Sequence, residues 1–347
     1  METKSWWLEN ESVSDLSKAQ LLEIMHSFQE NPLPYRFNLH LPTCYTFAPE
    51  IEFQLANRLT IQNVFQHVFD GSKNSWSVSA DSSVCHATKE IPTELFEDGT
   101  YGGEIAPQYL TDQKASWEQL RRACLLLTKF GAVASKLTSI HVNIGAHIFQ
   151  GDPQLVENLL SLWIAFEPEI FQFGMGNQSS LRPRAFEFSY PLTPLLLEPY
   201  QTTGSWLESY QMAIDHNDSK SIALNLFLSP QKNAQQFFLG NRIELRNFNG
   251  SLHPTTVQTN LLFSLYLVKY CVSDHFQTNM ISAYLDDLKQ PYPATLYQDG
   301  TKRNLQKGLL LCDLIFNTTL DKLYFLNQWI RPSQEPSSIT KKKSLVF

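Results

Sequence analysis

Two glutamates, Glu50 and Glu52, stand two residues apart in the apolar and β-prone segment Phe47–Phe53. Side chains i and i+2 of a β-strand project from the same face, so the two carboxylates are expected side by side. Like charges at that distance repel, and burial of either carboxylate is costly. A hard cation such as Mg²⁺, which favours carboxylate oxygens, would offset both effects. The alternative is an edge strand that turns one acidic row to solvent.

Other segments with strand-like alternation carry further residues of this kind. Glu104 opens a short strand after two glycines, and Asp81 stands where an alternating segment breaks at a turn. The segment 139–149 alternates and places four residues on one face: His141, Asn143, Gly145 and His147. The structural alternatives are a turn role for Asp81, a hydrogen-bonded core role for His141 and a loop-edge role for His147.

The segment 241–248 places Glu244 and Arg246 on one face, where they could also form a cross-strand row of ion pairs. Carboxylates that hold Mg²⁺, with arginines that stabilise a transferred phosphoryl group, make up the machinery of phosphate chemistry. The chain lacks a Walker-type loop, a dinucleotide fingerprint, a nucleophile elbow and a zinc-protease motif. The sequence therefore predicts magnesium and phosphate chemistry, with this residue set as the candidate site: Glu50, Glu52, Asp81, Glu104, His141, Arg182, Arg184, Glu244 and Arg246.

Composition excludes several classes of protein. The 347 residues are 43% hydrophobic and 12% aromatic, which allows a large core and excludes global disorder. The net charge of −7 argues against a general nucleic-acid binder or membrane-surface binder. Five scattered cysteines favour a reducing compartment. The N-terminus does not resemble a signal peptide, and the longest apolar segment, 261–272, is too short to span a bilayer. A cytoplasmic location is expected, with export as an effector without a cleavable signal left open.

Helical and strand-like patterns mix irregularly, without a regular βαβ rhythm. This mixture predicts an α+β fold, with an antiparallel sheet whose polar, ligand-bearing face gathers the candidate residues. We find no internal repeat or linker, so one catalytic domain over 1–330 and a polar basic tail over 331–347 are expected. The patterns also predict a helix over 12–30 capped by Ser14, and a strand over 222–228.

Six segments stand out, in this order: Phe47–Phe53, Trp76–Ser82, Gly102–Pro107, His141–Asn143, Ala223–Leu226 and Ile243–Phe248. Together they resemble signatures of the amidoligase family, whose members are carboxylate–amine ligases of the glutamine synthetase-like superfamily. The resemblance covers about 45–270, with helices over 255–330 beyond it. The chain departs from the family pattern at Ala48-Pro49, where the family has Gly-Val, and at Asn143, a weaker metal ligand than histidine.

The resemblance implies a glutamine synthetase-like sheet, ATP, Mg²⁺ and an acyl-phosphate intermediate that an amine attacks to give an amide. It implies these metal ligands: Glu50, Glu52, Glu104 and Glu244. It implies these catalytic residues: Arg246 at the transferred phosphoryl group, His141 near the metal, and Asp81. It implies these cofactor-binding candidates: Arg182, Arg184, Lys220 and Asn225. The expected partners are a carboxylate and an amine, carried by a small metabolite, an amino-acid-like molecule, a peptide or a protein.

Two other functions stay open at this stage. A catalytically degenerate family member would bind a peptide or protein without turnover. A Mg²⁺-dependent protein kinase or nucleotidyltransferase would use the same phosphate-binding residues. The retention of the glutamates and of Arg246 favours the ligase.

Overall fold

The computed structural model describes residues 12–30, 32–69, 75–84, 101–175, 185–216, 221–227, 241–286, 288 and 304–330. Its strands are β1 (Thr46–Asn57), β2 (Trp76–Ser79), β3 (Tyr101–Pro107), β4 (Leu110–Thr111), β5 (Ser139–Gly145), β6 (Leu224–Asn225) and β7 (Arg242–Asn249). Its helices are α1 (Lys18–Glu30), α2 (Arg58–Phe69), α3 (Lys114–Lys129), α4 (Pro153–Met175), α5 (Ala185–Phe188), α6 (Thr193–Thr203), α7 (Trp206–His216), α8 (Pro254–Cys271), α9 (Thr278–Asp286), α10 (Leu305–Ile315) and α11 (Thr319–Trp329).

The seven strands form one sheet in the order β2-β3-β1-β5-β7-β6, and β4 pairs with the start of β1. Every pair of these named strands is antiparallel. The sheet confirms the predicted α+β class with an antiparallel sheet. The central strands β1 and β5 have neighbours on both sides, so their side chains are held in register from two directions.

One face of the sheet is apolar and lies against helices. Ile51 of β1 stands opposite Ile105 and Ile140 on the two neighbouring strands, and all three are fully buried. Phe47 stacks on Trp117 of α3, with ring centroids 4.9 Å apart. Full burial of each such side chain contributes roughly 1.5–3 kcal/mol, so this face fixes which side chains must point the other way.

A β-bulge interrupts the pairing of β5 with β7. Ile140 pairs with Phe248, while Val142 pairs with Leu245, so β7 has one more residue than β5 across this interval. Arg246 hydrogen-bonds on the polar face, whereas Phe248 packs against helix residues on the apolar face. The extra residue therefore lets two side chains that are two positions apart point to opposite faces.

Strands β2 and β3 pair closely because of a glycine. Gly103 has φ of 154°, and a Cβ atom there would lie 2.3 Å from the carbonyl oxygen of Ser79. Only glycine fits this approach of two backbones. The pairing places Ser79 directly opposite Glu104, and Glu104 directly opposite Glu52 of β1.

Three sequence predictions of secondary structure are wrong in part. The predicted strand 139–149 ends at Gly145 and continues as a 3-10 helix, Ala146–Phe149, so His147 leaves the polar face and its Nε2 contacts the carbonyl oxygen of Cys44 at 2.6 Å. The helix predicted over 12–30 begins at Lys18 because Ser17, not Ser14, caps it: Ser17 Oγ accepts from the Gln20 backbone nitrogen, and Gln20 Oε1 accepts from the Ser17 backbone nitrogen. The predicted strand 222–228 is reduced to β6, which ends before the positive φ of Phe227.

The C-terminal helices bind the N-terminal segment through charged side chains. Asp313 of α10 accepts hydrogen bonds from the backbone of Val13 and Ser14. The guanidinium of Arg36 pairs with the buried Asp321 of α11 at 2.5 Å. None of the helices in the described part of the chain has the length and apolar character needed to cross a membrane.

The buried Glu169 of α4 should make the stability of the protein depend on pH. Burial raises the pKa of Glu169 to about 7, against the opposing effect of Lys307. Between the ordinary glutamate pKa of 4.5 and the raised pKa of about 7, the folded state keeps a proton that the unfolded state has lost, so stability falls as pH rises. At about 1.4 kcal/mol per pH unit, this loss amounts to roughly 3 kcal/mol.

We expect Glu169→Gln to remove most of this pH dependence. Urea denaturation at pH 5 and pH 8 should show a difference in unfolding free energy about 2–3 kcal/mol smaller than in the unmodified protein. The matched control is Glu208→Gln, which changes an exposed glutamate of α7. A Glu169→Gln protein with the original pH dependence would contradict the assignment.

Candidate functional site

The polar face of the sheet is built from residues that stand opposite one another across the strands. Glu50 of β1 lies opposite His141 of β5. One row further along, Asn143 lies opposite Glu244 of β7, and Glu244 lies opposite Asn225 of β6. Because opposite residues of an antiparallel sheet share a face, strands far apart in sequence bring these side chains together.

Glu50, His141 and Glu244 form the centre of this face. A ligand atom from each lies within 4.8 Å of the others. His141 Nδ1 is 3.2 Å from Glu50 Oε2 and 3.6 Å from Glu244 Oε1. The imidazole and the Glu244 carboxylate are buried, and the Glu50 side chain is 22% exposed, so the group opens to solvent on the Glu50 side.

The opposite edge of the His141 ring faces Ser139 and Glu52. His141 Nε2 is 3.0 Å from Ser139 Oγ and 3.6 Å from Glu52 Oε1. The other oxygen of Glu52 accepts a hydrogen bond of 2.6 Å from the backbone nitrogen of Ser139. Glu52 is buried, and this bond ties β1 to the first residue of β5.

Arg246 is held beside the central group by two contacts. Its Nη1 donates to Glu244 Oε1 at 2.7 Å, and its Nε donates to the carbonyl oxygen of Phe188 at 3.3 Å. This ion pair runs along β7, and Glu244 also faces His141 of β5 across the strands. Among the described residues, Nη2 has no hydrogen-bond partner.

Glu104 and Asp81 form the flank of the site on the β2 side. Ser79 Oγ donates to Glu104 Oε1 at 2.9 Å. Burial, the charge of Glu50 and the charge of Asp81 raise the pKa of Glu104, against the hydrogen bond from Ser79. Asp81 Oδ1 accepts a hydrogen bond of 2.7 Å from the backbone nitrogen of Ser83, as in a turn. Asp81 thus has the turn role and also lies close enough to influence Glu104.

Two buried asparagines carry polar atoms that lack partners in the described part of the chain. Asn143 Nδ2 donates to Glu50 Oε1 at 3.0 Å, which leaves Oδ1 unpaired. Asn225 Oδ1 accepts from the backbone nitrogen of Phe227 at 2.9 Å, which leaves Nδ2 unpaired. A buried polar atom without a partner is costly and indicates a ligand or bound water at that position.

The charges of the central group stabilise one another. Burial acts to lower the pKa of His141, but the hydrogen bond with Glu50 and the charges of Glu52 and Glu244 outweigh burial and Arg246, and the pKa is raised. Burial acts to raise the pKa of Glu50, but His141 and Asn143, with a smaller effect of Arg242, lower it. A cation between these residues would offset the negative charge of the two carboxylates.

The donor set fits a divalent cation. Two carboxylates and an imidazole nitrogen converge on one point, the approach is partly open, and oxygen-rich sites of this kind suit Mg²⁺ or Mn²⁺. A ligating histidine commonly donates its second ring nitrogen to a neighbouring acceptor. In His141 the nitrogen facing the two carboxylates is Nδ1, and Nε2 already has Ser139 and Glu52 beside it.

Sequence reasoning did not single out Ser139 or Arg242. The period-two spacing could have indicated both residues, because Ser139 is two residues before His141 and Arg242 is two residues before Glu244. The Arg242 guanidinium lies 4.4 Å from the ring centroid of Phe227, and its charge helps to lower the pKa of Glu50. Three predicted phosphate-binding residues lie outside the described residues: Arg182, Arg184 and Lys220.

These features define a class of protein, an α+β protein with a carboxylate–histidine–arginine group on a sheet face. A family model described as "putative amidoligase enzyme" matches residues 48–268, which is more than half of the chain. The chain therefore belongs to this amidoligase family, as its sequence signatures indicated. A search of curated proteins and a search of solved structures found no match to the chain.

Proposed function

We propose that the protein is an ATP- and Mg²⁺-dependent carboxylate–amine ligase that forms an amide through an acyl phosphate. Membership of the amidoligase family supports ligase chemistry in general. The observation that carries the finer proposal is the Glu50–His141–Glu244 group with Arg246 beside it on one sheet face. We also propose that this sheet is of the glutamine synthetase-like type.

In the proposed site, the carboxylates and His141 bind the cation, and Arg246 acts on the phosphoryl group. Glu50, His141 and Glu244 would hold the cation, which neutralises phosphate oxygens when bound. Glu52 and Glu104, opposite each other on β1 and β3, add two carboxylates beside this group. The Nη2 of Arg246, which has no partner in the described part of the chain, would stabilise the charge on the phosphoryl group in transfer.

The reaction then has two steps. An oxygen of the substrate carboxylate attacks the γ-phosphorus of ATP, an O–P bond forms, the bond to the β,γ-bridging oxygen breaks, and ADP leaves. The amine nitrogen next attacks the acyl carbon. The C–N bond forms, the bond from carbon to the phosphate oxygen breaks, phosphate leaves, and it takes the proton that the nitrogen gives up. The polar groups left unpaired on Asn143 and Asn225 would contact these reactants.

Hydroxylamine tests the proposal without knowledge of the native amine. It is a small, strong nucleophile, so it should trap the acyl phosphate as a hydroxamate. The protein is incubated with Mg²⁺, ATP, hydroxylamine and a panel of carboxylic acids, including amino acids and peptides. We expect hydroxamate, ADP and phosphate to appear in equal amounts with at least one acid.

Other products would identify another reaction. AMP and pyrophosphate would contradict the acyl-phosphate step and indicate an adenylating enzyme. Stable transfer of phosphate to a protein hydroxyl would favour the kinase alternative. Binding of a peptide without ATP turnover would favour a degenerate, non-catalytic family member.

A further inference from the structure

Ser139 is the first residue of β5, and its side chain contacts the His141 ring of the candidate metal site. Its Oγ lies 3.0 Å from His141 Nε2, on the side of the ring away from Glu50 and Glu244. Its exposed fraction is 3%, so water does not readily replace this contact. Ser139 is therefore placed to act on the orientation of the ring.

We propose that Ser139 is a positioning residue that holds His141 with Nε2 as the protonated nitrogen and Nδ1 as the metal-binding atom. The inference rests on the proposed metal site. A neutral imidazole has one donor nitrogen and one acceptor nitrogen, and the partner of the donor decides which atom is left for a metal. Without metal, Glu50 Oε2 accepts from Nδ1–H. When a cation displaces that proton, Ser139 Oγ accepts from Nε2–H, and the Nδ1 lone pair faces the cation.

The position of Ser139 is itself fixed by Glu52. Glu52 Oε2 accepts from the Ser139 backbone nitrogen at 2.6 Å, and Glu52 Oε1 lies 3.6 Å from Nε2. Glu52, Ser139 and His141 thus form a chain of contacts that runs from β1 into β5 and ends at Nδ1, the atom closest to the Glu50 and Glu244 oxygens.

Replacement of Ser139 by alanine removes the hydroxyl and almost nothing else. The ring then loses its nearest Nε2 partner and can turn about χ2, and Nδ1 and Nε2 can exchange roles. Loss of an outer-shell partner of a metal ligand typically costs about 10–100-fold in metal affinity. We expect Ser139→Ala to weaken Mn²⁺ binding, measured by calorimetry, within that range, with little change in melting temperature.

Two further variants separate positioning from general packing. Ser139→Thr keeps the hydroxyl and should bind Mn²⁺ within about threefold of the unmodified protein; if the added methyl prevents folding, Ser139→Cys takes its place. Ser77→Ala removes another strand serine, whose Oγ donates to the Ala106 carbonyl oxygen at 3.1 Å, and it should leave Mn²⁺ affinity unchanged. Unchanged Mn²⁺ affinity in Ser139→Ala would overturn the proposal.

Metal-free crystal structures test the positioning role of Ser139 independently of the proposed metal-dependent activity. Crystal structures of the unmodified protein and Ser139→Ala without metal should show the His141 ring turned in the variant. If the unmodified protein binds no Mn²⁺, the metal-dependent proposal fails, and the ring orientation alone decides the role of Ser139. An unmoved ring in that case would overturn the positioning role.

Discussion

Glu244→Gln should abolish divalent-cation binding, with Mn²⁺ affinity reduced by more than about 100-fold. Glu244 supplies one of the two central carboxylates, and a neutral amide oxygen is a much weaker ligand for a hard cation. The glutamine oxygen can still accept from Arg246 Nη1, so the hydrogen bond that now spans 2.7 Å has a replacement. Calorimetric titration with Mn²⁺ measures the effect.

The same variant should remain folded without metal. Three carboxylates of this face, on Glu50, Glu52 and Glu244, lie beside the His141 imidazole, and Glu244 also pairs with Arg246. Removal of one negative charge relieves repulsion, so the metal-free melting temperature should stay level or rise. The matched control is Glu118→Gln on the exposed side of α3, which should bind Mn²⁺ normally. A large fall in the melting temperature of Glu244→Gln would instead identify Glu244 as a structural ion-pair partner of Arg246.

Arg246→Lys should slow hydroxamate formation by at least about 10³-fold, since a well-placed arginine contributes roughly 10³–10⁵ in other phosphoryl-transfer enzymes. The guanidinium uses Nη1 for Glu244 and Nε for the Phe188 carbonyl oxygen, and still presents Nη2. An ammonium group keeps the charge but loses the planar fork that makes these contacts together. The initial rate of ADP and hydroxamate formation, with saturating Mg²⁺ and ATP, measures the loss.

Arg246→Lys should slow phosphoryl transfer without weakening Mg²⁺–ATP binding to a similar extent. Mg²⁺–ATP should bind within a few-fold of normal affinity, because the proposed cation ligands are unchanged. Arg122→Lys, an exposed arginine of α3, is the matched control and should react at the normal rate. An Arg246→Lys protein that forms hydroxamate at a near-normal rate would remove Arg246 from the phosphoryl-transfer step.

The period-two alternation of the strands made the polar face predictable. Glu50 and Glu52, His141 and Asn143, and Glu244 are buried or half-buried on strands whose alternate residues are apolar, so the requirement to bury one face orients the other. The sequence could not supply the pairing partners, because which strands lie side by side depends on contacts between residues far apart in the chain. The roles of these residues as ligands stay predictions.

Some features depend on local backbone conformations that alternation does not encode. The change from strand to 3-10 helix at Ala146 removed His147 from the polar face. Phe227 has φ of 47°, an unusual value for a bulky residue, and its ring lies against Arg242. Ser139 lay at the expected spacing, but serines are common at strand ends, so only its distance to His141 distinguishes it.

The bulge in β7 makes the number of residues in this strand as important as their identity. Arg246 reaches Glu244 on one face and Phe248 reaches Phe173 and Phe263 on the other only because one extra residue stands in the interval. A deletion there would restore regular alternation and send either an aromatic ring toward the carboxylates or a guanidinium into the apolar layer. The segment should therefore not accept a change of length, and alignments that place a gap within it misassign its residues.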